Sequence, residues 1–594
     1  MRFDATQLKE MSSAVKAHAL DAIRGAGSGH VGIVLGAADI ITTIYANFLR
    51  RGQDKFVLSA GHGSALLYSV LKLAGYDIGD LRSFRKIGGL PGHPEFGLDG
   101  VFATTGPLGQ GVGNAVGMAL AAKIKKSDER VYCLCSDGDL MEGVSAEAIT
   151  FAGRYKLDNL VLLWDDNGIS IDGQALTDID MAGRMTAAGW KVLRVSGNDF
   201  NKIDKALNDS FSARSPVFIQ CKTIIGRDSS LAGTRAAHGF ALPDSEMMRL
   251  VEKFISPMGE SLWASVAKDA PAKYVLNQAD VCPKNIKIPS VEEDISSREL
   301  SGMFLQELVS NGVSLIGGSA DLSSSTCAKT KAHVSILPRK FSGNFIDYGV
   351  REHAMGAIMN GLAASGLRPY GSTFLVFSDY MRPSIRLAAL SGLPVIYIFT
   401  HDSIAVGADG PTHQPVEQLA SLRLIPNLNV FRPCNGAEVA YSWCTAISDI
   451  RKPSAIILSR QKIKQIETPK DADISRGAYV IHKARTGRIR GTIIATGSEV
   501  PLAVSVAERL GTDVQVVSMP SVATFRAQSR KYKSEILRGY VVAIEAASTA
   551  PWFEFADAVV GLDSFGISGD GDAVYSHFGF DTDAIVRDIS SKMK

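Results

Sequence analysis

The chain has almost no net charge: 63 Lys and Arg stand against 61 Asp and Glu in 594 residues, with no long block of one sign. Without a basic face there is no electrostatic footprint for nucleic acid, so neither DNA nor RNA is an expected partner. Long apolar runs are missing as well. No stretch approaches 18 consecutive apolar residues, and the opening "MRFDATQLKEMSSAVKAHAL" lacks the basic-then-apolar layout of a secretory leader. Together these absences predict a cytoplasmic protein with no membrane partner. The seven cysteines are scattered and never form CxxC, which argues against zinc and dithiol redox sites and predicts reduced, structural thiols throughout. Cys133 and Cys135 alternate along one strand face, as core residues do. A dinucleotide fingerprint is missing too: no GxGxxG follows a strand with an acid about twenty residues on.

What is present is alternation. Short β-rich runs exchange with helical stretches nearly throughout, the pattern of parallel sheets covered by helices on both faces. The runs fall into three clusters. The first holds "VYCLC" (131), "NLVLLWDDN" (159), "WKVLRVSG" (190) and "PVFIQCKT" (216); the second "VSLIGGSADL" (313), "RPYGSTFLVF" (368), "PVIYIFTHD" (394), "LNVFRPC" (428) and "SAIILSR" (454); the third "GTIIATGS" (491), "DVQVVSMPS" (513) and "GYVVAIEA" (539). Residues 246–294 carry no comparable runs and read as an interdomain connection. A second break falls near "ETPKDADISRGAY". The expected architecture is α/β with three doubly wound domains: 1–245, 295–470 and a smaller C-terminal domain, 471–594.

In an open parallel sheet, ligands collect beyond the carboxyl ends of the strands. Asp137, in "CSDGDLMEG", sits at such an end, and thirty residues on the next apolar strand ends in "DDNGIS", placing Asn167 on a neighbouring strand tip. A carboxylate, an amide oxygen and a backbone carbonyl make half of a hard-oxygen shell suited to Mg²⁺ or Ca²⁺, through which acids can serve a diphosphate. Taken singly, either residue reads better as a turn or helix cap. Four of the eleven histidines, His30, His62, His93 and His238, abut glycine, a pairing that lets backbone approach a ligand while imidazole meets hydroxyl or phosphate. Arg298, Ser325, His401 and Arg460 lie at predicted element ends, and arginine forks suit a terminal phosphomonoester.

The acidic turn followed by an Asn-ended strand is the thiamine diphosphate fingerprint, and "SDGDLMEGVSAEAITFAGRYKLDNLVLLWDDNGISIDG" closely resembles the transketolase family. The resemblance continues through "SGHVG", "LSAGHGS", "PGHPE", "TTGPLGQG", "DYGVREHAM", "STFLVFSDY", "THDSIAVGADGPTHQPVEQ", "ILSRQ" and "ATGSEV", over nearly the whole chain. It implies thiamine diphosphate-binding folds in the first two domains, one for the diphosphate and one for the pyrimidine, and a homodimer with active sites between subunits. It implies a metal held by Asp137, Asn167 and the Ile169 carbonyl, normally Mg²⁺ with Ca²⁺ or Mn²⁺ as substitutes. His62, Gly106, Pro107, Leu108, Gly138, Asn167, His238 and Phe377 match cofactor contacts, with Phe374 and Tyr380 lining the pyrimidine pocket. Glu352 matches the acid that drives loss of the thiazolium C2 proton, and His30 and His238 match catalytic histidines. His30, His93, Arg298, Ser325, His401, Asp409, His413 and Arg460 match sugar-phosphate contacts.

The implied reaction moves a two-carbon ketol unit from xylulose 5-phosphate to ribose 5-phosphate or erythrose 4-phosphate in the pentose phosphate pathway. A dihydroxyacetone synthase, a deoxyxylulose-phosphate synthase and a non-catalytic scaffold are the alternatives. Departures from the family pattern are Ser136 for the first glycine of the acidic turn, Val31 where proline is common, Arg235 where a second histidine is frequent, a partly divergent "SFGISGDGDAVYSHFGF", and shortening in the connection and after Ile171.

Overall fold

Parallel strands require crossover helices, and the alternation read above supplies them in three sheets. The computed structural model describes residues 3–174, 179–239, 242–268, 282, 286–289 and 291–593. The first sheet runs in the order Lys55–Leu58, Val131–Ser136, Leu160–Asp166, Val217–Lys222, Lys191–Ser196, all parallel. Its register sets Ser136 beside Asp165, so the Asp137 and Asn167 tips are neighbours as the sequence predicts. The second sheet, also parallel, has the order Asn429–Phe431, Ser454–Leu458, Ile396–Thr400, Tyr370–Phe374, Gly317–Ser319, Phe345–Asp347. The third places Tyr479–His482, Val514–Ser518, Gly491–Ala495, Tyr540–Ile544 and Ala558–Val560 side by side, with only its first strand antiparallel.

By Cα proximity the chain forms two compact bodies. One comprises Met1–Asn277, Leu337–Ser342 and Ala357–Gly366; the other comprises Gln278–Ile336, Gly343–Gly356 and Leu367–Lys594, and so contains both the second and third sheets. The predicted connection at 246–294 is partly structured. Helices Asp244–Phe254 and Pro257–Lys268 pack on Ala5–Ala26, and Trp263 is fully buried with its Nε1 donating to the Met11 carbonyl at 3.0 Å. An amphipathic pair of helices carries no strand signal, which is why this stretch read as a linker. Most of the remaining connection, and the end of the shortened loop after Ile171, lie outside the described residues. The apolar stretch Val31–Phe48 is long enough to cross a membrane, but 89% of it is buried in the first body's core.

The expectation of seven reduced thiols is corrected at one pair. Cys282 is joined to Cys444 by a disulfide, with a Cα–Cα distance of 5.2 Å. Both lie against the core beside the second sheet, and their separation of 162 residues leaves no spacing pattern to detect. The other five cysteines are free, four of them buried.

Candidate active site

His62 lies in the turn Gly61–Gly63, just past the strand Lys55–Leu58. A Cβ on Gly61 would stand 2.6 Å from the Gly106 amide, so this histidine reaches its position only because the "TTGPLGQG" loop and the "AGHG" turn touch backbone to backbone. His30 caps helix Val31–Thr43 and His238 closes the short turn Arg235–Ala237. Their rings meet: His30 to His62 5.3 Å, His62 to His238 5.0 Å, His30 to His238 5.5 Å between centroids, with His93 at 6.3 Å from His30. Burial, followed by mutual repulsion and Arg85, lowers His30 to about 4. Burial lowers His62, His93 and His238 too. The cluster is therefore neutral at physiological pH and can both donate and accept hydrogen bonds.

Asp137 opens the helix Asp137–Met141. It is 2% exposed, and neither carboxylate oxygen makes a hydrogen bond of ordinary geometry, although the Gly168 backbone amide is close enough to favour its ionised form. Burial, and then the like charges of Asp165 and Asp166, raise it to about 7. Lys222 spends its ammonium on Asp166 at 3.0 Å. A buried carboxylate short of donors is costly and marks a place for an external partner. Next door, the Asn167 amide nitrogen donates to Asp165 Oδ2 at 3.2 Å, turning its oxygen toward the Ile169 amide at 3.0 Å in the two-residue strand Ile169–Ser170. Among the described residues no three His, Cys, Asp or Glu side chains form a cage sufficient for a metal alone. The available oxygens (carboxylate, amide and carbonyl) fit a hard divalent cation that completes its shell with ligand phosphate.

Ser136 needs no glycine in its place. Its φ of −106° is ordinary, and its hydroxyl caps the following helix in a reciprocal box with Asp139. Asp139 is the residue that sequence reasoning missed. Fully buried, it accepts from Ser59 Oγ at 2.6 Å, the Gly109 amide at 2.7 Å and the Ser136 amide at 2.9 Å, tying three ligand-facing loops to one carboxylate. A signal was available: Asp139 stands three residues after Ser136, closing the S-D-G-D capping box. Leu108 packs where a Cβ on Gly138 would intrude at 2.8 Å. Pro107 is exposed and Val31 buried.

In the second body, Glu352 begins the helix Glu352–Ala364, 9% exposed, with burial raising it above the usual carboxylate range while its own backbone amide and the Thr373 hydroxyl, at 3.5 Å, act the other way. Phe374 and Phe377 are nearly parallel at 5.9 Å, and His413 stands edge-on to Phe377 at 5.4 Å. His401 stacks on Phe374 at 3.7 Å. Burial, then Arg298 and Arg460, lower it to about 3. Arg298 binds the Ser325 carbonyl and keeps a buried Nε without a partner. Arg460 and Asp409 are exposed, as is Tyr380 at 65%, which leaves Tyr380 at the rim rather than in the pocket. The aromatic cluster and the two arginines thus share one end of the second sheet.

Family models cover the chain in the order thiamine diphosphate binding domain (7–266), pyrimidine binding domain (293–465) and C-terminal domain (477–581), all of transketolase. The chain belongs to the transketolase family. It is 39% identical to the transketolase of Rhodobacter capsulatus, across 98% of each chain. Its fold matches the transketolase structure from Leishmania mexicana with a TM-score of 0.93 at 33% identity, covering 99% of this chain and 98% of that one. It matches a Pichia stipitis transketolase solved with sedoheptulose 7-phosphate at a TM-score of 0.88 and 34% identity, covering 99% and 98%. The cofactor is thiamine diphosphate and the activity is ketol transfer.

Proposed function

We propose that the chain transfers a two-carbon ketol unit from xylulose 5-phosphate to ribose 5-phosphate or erythrose 4-phosphate, with Mg²⁺ bridging protein and cofactor, as a cytoplasmic homodimer of the pentose phosphate pathway. The observation that carries the reading is Asp137, a buried carboxylate beside the Asn167 tip whose neighbouring charges are of its own sign and which no side chain neutralises by direct contact. Asp137, Asn167 and the Ile169 carbonyl would hold the cation. His62, Gly106, Pro107, Leu108 and Gly138 would enclose the cofactor, and Phe377 would offer its face to the pyrimidine ring. When bound, thiamine diphosphate supplies an acidic carbon and an electron sink for cleaving a carbon–carbon bond.

Burial shifts Glu352 toward its protonated form, in which its carboxyl would donate a hydrogen bond to a ring nitrogen of the cofactor. His30 and His238, neutral and in contact, would exchange protons with sugar hydroxyls, and His93 would orient them. Asp409 and His413 would read hydroxyls near the reacting carbon. Arg298, Ser325, His401 and Arg460 would receive the terminal phosphate, the class of ligand that the Pichia stipitis enzyme was solved with.

The test removes metal and cofactor with a chelator and restores each separately. Sedoheptulose 7-phosphate should form only when both return. Glu352→Gln should retain cofactor by calorimetry yet lose about 10²–10⁴-fold in rate, the usual worth of one acid–base group. Condensation with pyruvate would support a deoxyxylulose-phosphate synthase instead, formaldehyde as preferred acceptor a dihydroxyacetone synthase, and no turnover of any ketose a scaffold.

A further inference from the structure

The phosphate-contact residues are braced through their chain neighbours. Ser297, just before Arg298, and Ser459, just before Arg460, exchange hydrogen bonds in both directions: the Ser297 amide donates to Ser459 Oγ at 3.0 Å and the Ser459 amide to Ser297 Oγ at 2.7 Å. Gln461, just after Arg460, donates to Ser403 Oγ at 3.4 Å. Ser403 lies two residues past His401, whose backbone holds a left-handed φ of +62°. Such a conformation in a residue with a side chain persists only where its surroundings enforce it.

Its bracing includes a helix of the third domain, Gly571–His577. Tyr575 Oη stands 2.9 Å from Ser403 Oγ and 2.8 Å from Glu499 Oε1. One phenolic proton serves one partner; it goes to the carboxylate, so Ser403 donates to Tyr575. Glu499 also holds the fully buried Arg432 through Nη1, which donates to the Thr496 carbonyl at 3.0 Å as well, while Nη2 reaches Asp402 at 2.8 Å and Ser498 at 3.0 Å. Asp402 is the residue after His401. Glu545, clamped by Arg423 at 2.7 and 2.8 Å, stands 3.7 Å from Arg432.

The place matters. In an open α/β sheet the ligand crevice lies at the carboxyl ends of the strands where the order reverses. In the third sheet that point falls between Gly491–Ala495 and Tyr540–Ile544, which Glu499 and Glu545 follow, and the Arg432 guanidinium occupies it.

We propose that Tyr575 and Arg432 are positioning residues for the substrate's terminal phosphate: the third domain uses its ligand crevice to grip Arg432, and the resulting hydrogen-bonded rail through Asp402, Ser403 and Gln461 sets the spacing of His401, Arg460 and Arg298. The inference rests on the phosphate reading of those three residues. It gives the third domain a part in substrate choice although none of the sugar-phosphate residues proposed above lies in it.

The test uses the holoenzyme with Tyr575→Phe, which removes one oxygen. KM for xylulose 5-phosphate, and the inhibition constant of inorganic phosphate against it, should each rise about tenfold, the equivalent of one hydrogen bond. The kcat, and kcat/KM for xylulose without its phosphate, should stay within about twofold on the same scale. Ser403→Ala should reproduce the pattern and guards against a folding defect in the first variant. Equal losses with both ketoses, or a lowered melting temperature with unchanged discrimination, overturn the inference. Arg460→Leu separates the two levels: if it too leaves discrimination unchanged, the phosphate reading fails; if it alone abolishes discrimination, only the rail does.

Discussion

Asp137 and Asp402 are both buried aspartates at the carboxyl ends of parallel strands, and burial raises both above the ordinary carboxylate range. Only one has its cation built in. Arg432 lies 2.8 Å from Asp402, whereas the fixed charges bearing most on Asp137 are Asp165 and Asp166, of its own sign. The positive charge of Lys222 goes to Asp166. A strand-end carboxylate whose cation comes from the chain itself makes a joint between domains; one that faces only like charges leaves room for an outside cation. The same logic distinguishes the crevices. That of the third sheet is filled by a guanidinium from the polypeptide, and that of the first keeps a carboxylate among like charges and neutral histidines.

The comparison breaks most visibly at Arg432. Replacing it with Met leaves Asp402, Glu499 and Glu545 buried together with only Arg423 in reach, and removing one partner of a buried pair costs about 3–5 kcal/mol. A calorimetric melt should show a destabilisation of this order. If Arg432→Met melts as the parent does, the closed joint contributes nothing. Asp137→Asn should act in the opposite direction. Without cofactor at pH 8 the change relieves a buried charge facing two others and should raise stability by about 1–2 kcal/mol, while calorimetry finds no cation-dependent binding of thiamine diphosphate. A destabilised Asn variant that still binds cofactor would mean that the carboxylate is satisfied by the protein after all.

Much of this contrast was legible in the sequence, and the illegible part has a pattern. All twelve quoted β-rich runs contain or abut strands, because buried parallel strands are continuous apolar stretches. The four longer strands that were missed, Lys55–Leu58, Phe345–Asp347, Tyr479–His482 and Ala558–Val560, are all sheet edges of three or four residues, too short to show a period. Asp137 and Asn167 were found because the motif is local. Asp139 was legible only in its local bond to Ser136, since its other two donors, Ser59 and the Gly109 amide, are distant in sequence. The joint was invisible for the same reason: Arg432, Glu499 and Glu545 are far apart in sequence, and each alone reads as a surface charge. Ser136, a departure from the family's turn, is the turn's cap.

The smallest effect expected concerns His401, which sits between the two regimes, buried on Phe374 yet facing two arginines. Its folded pKa is about 3, set by burial and then by Arg298 and Arg460, against an unfolded value near 6.5. The unfolded chain thus binds the proton more readily, so stability rises with pH between about 3 and 6.5 and is lost on acidification through that window. Lowering the pH from 7.5 to 5.5 should cost the cofactor-free parent about 1 kcal/mol more than His401→Gln, which has no proton to gain. Chemical denaturation at the two pH values measures the difference. Parallel losses in parent and variant would mean that His401 is charged in the fold, and that the phosphate site meets its ligand with a third positive group rather than with a neutral donor.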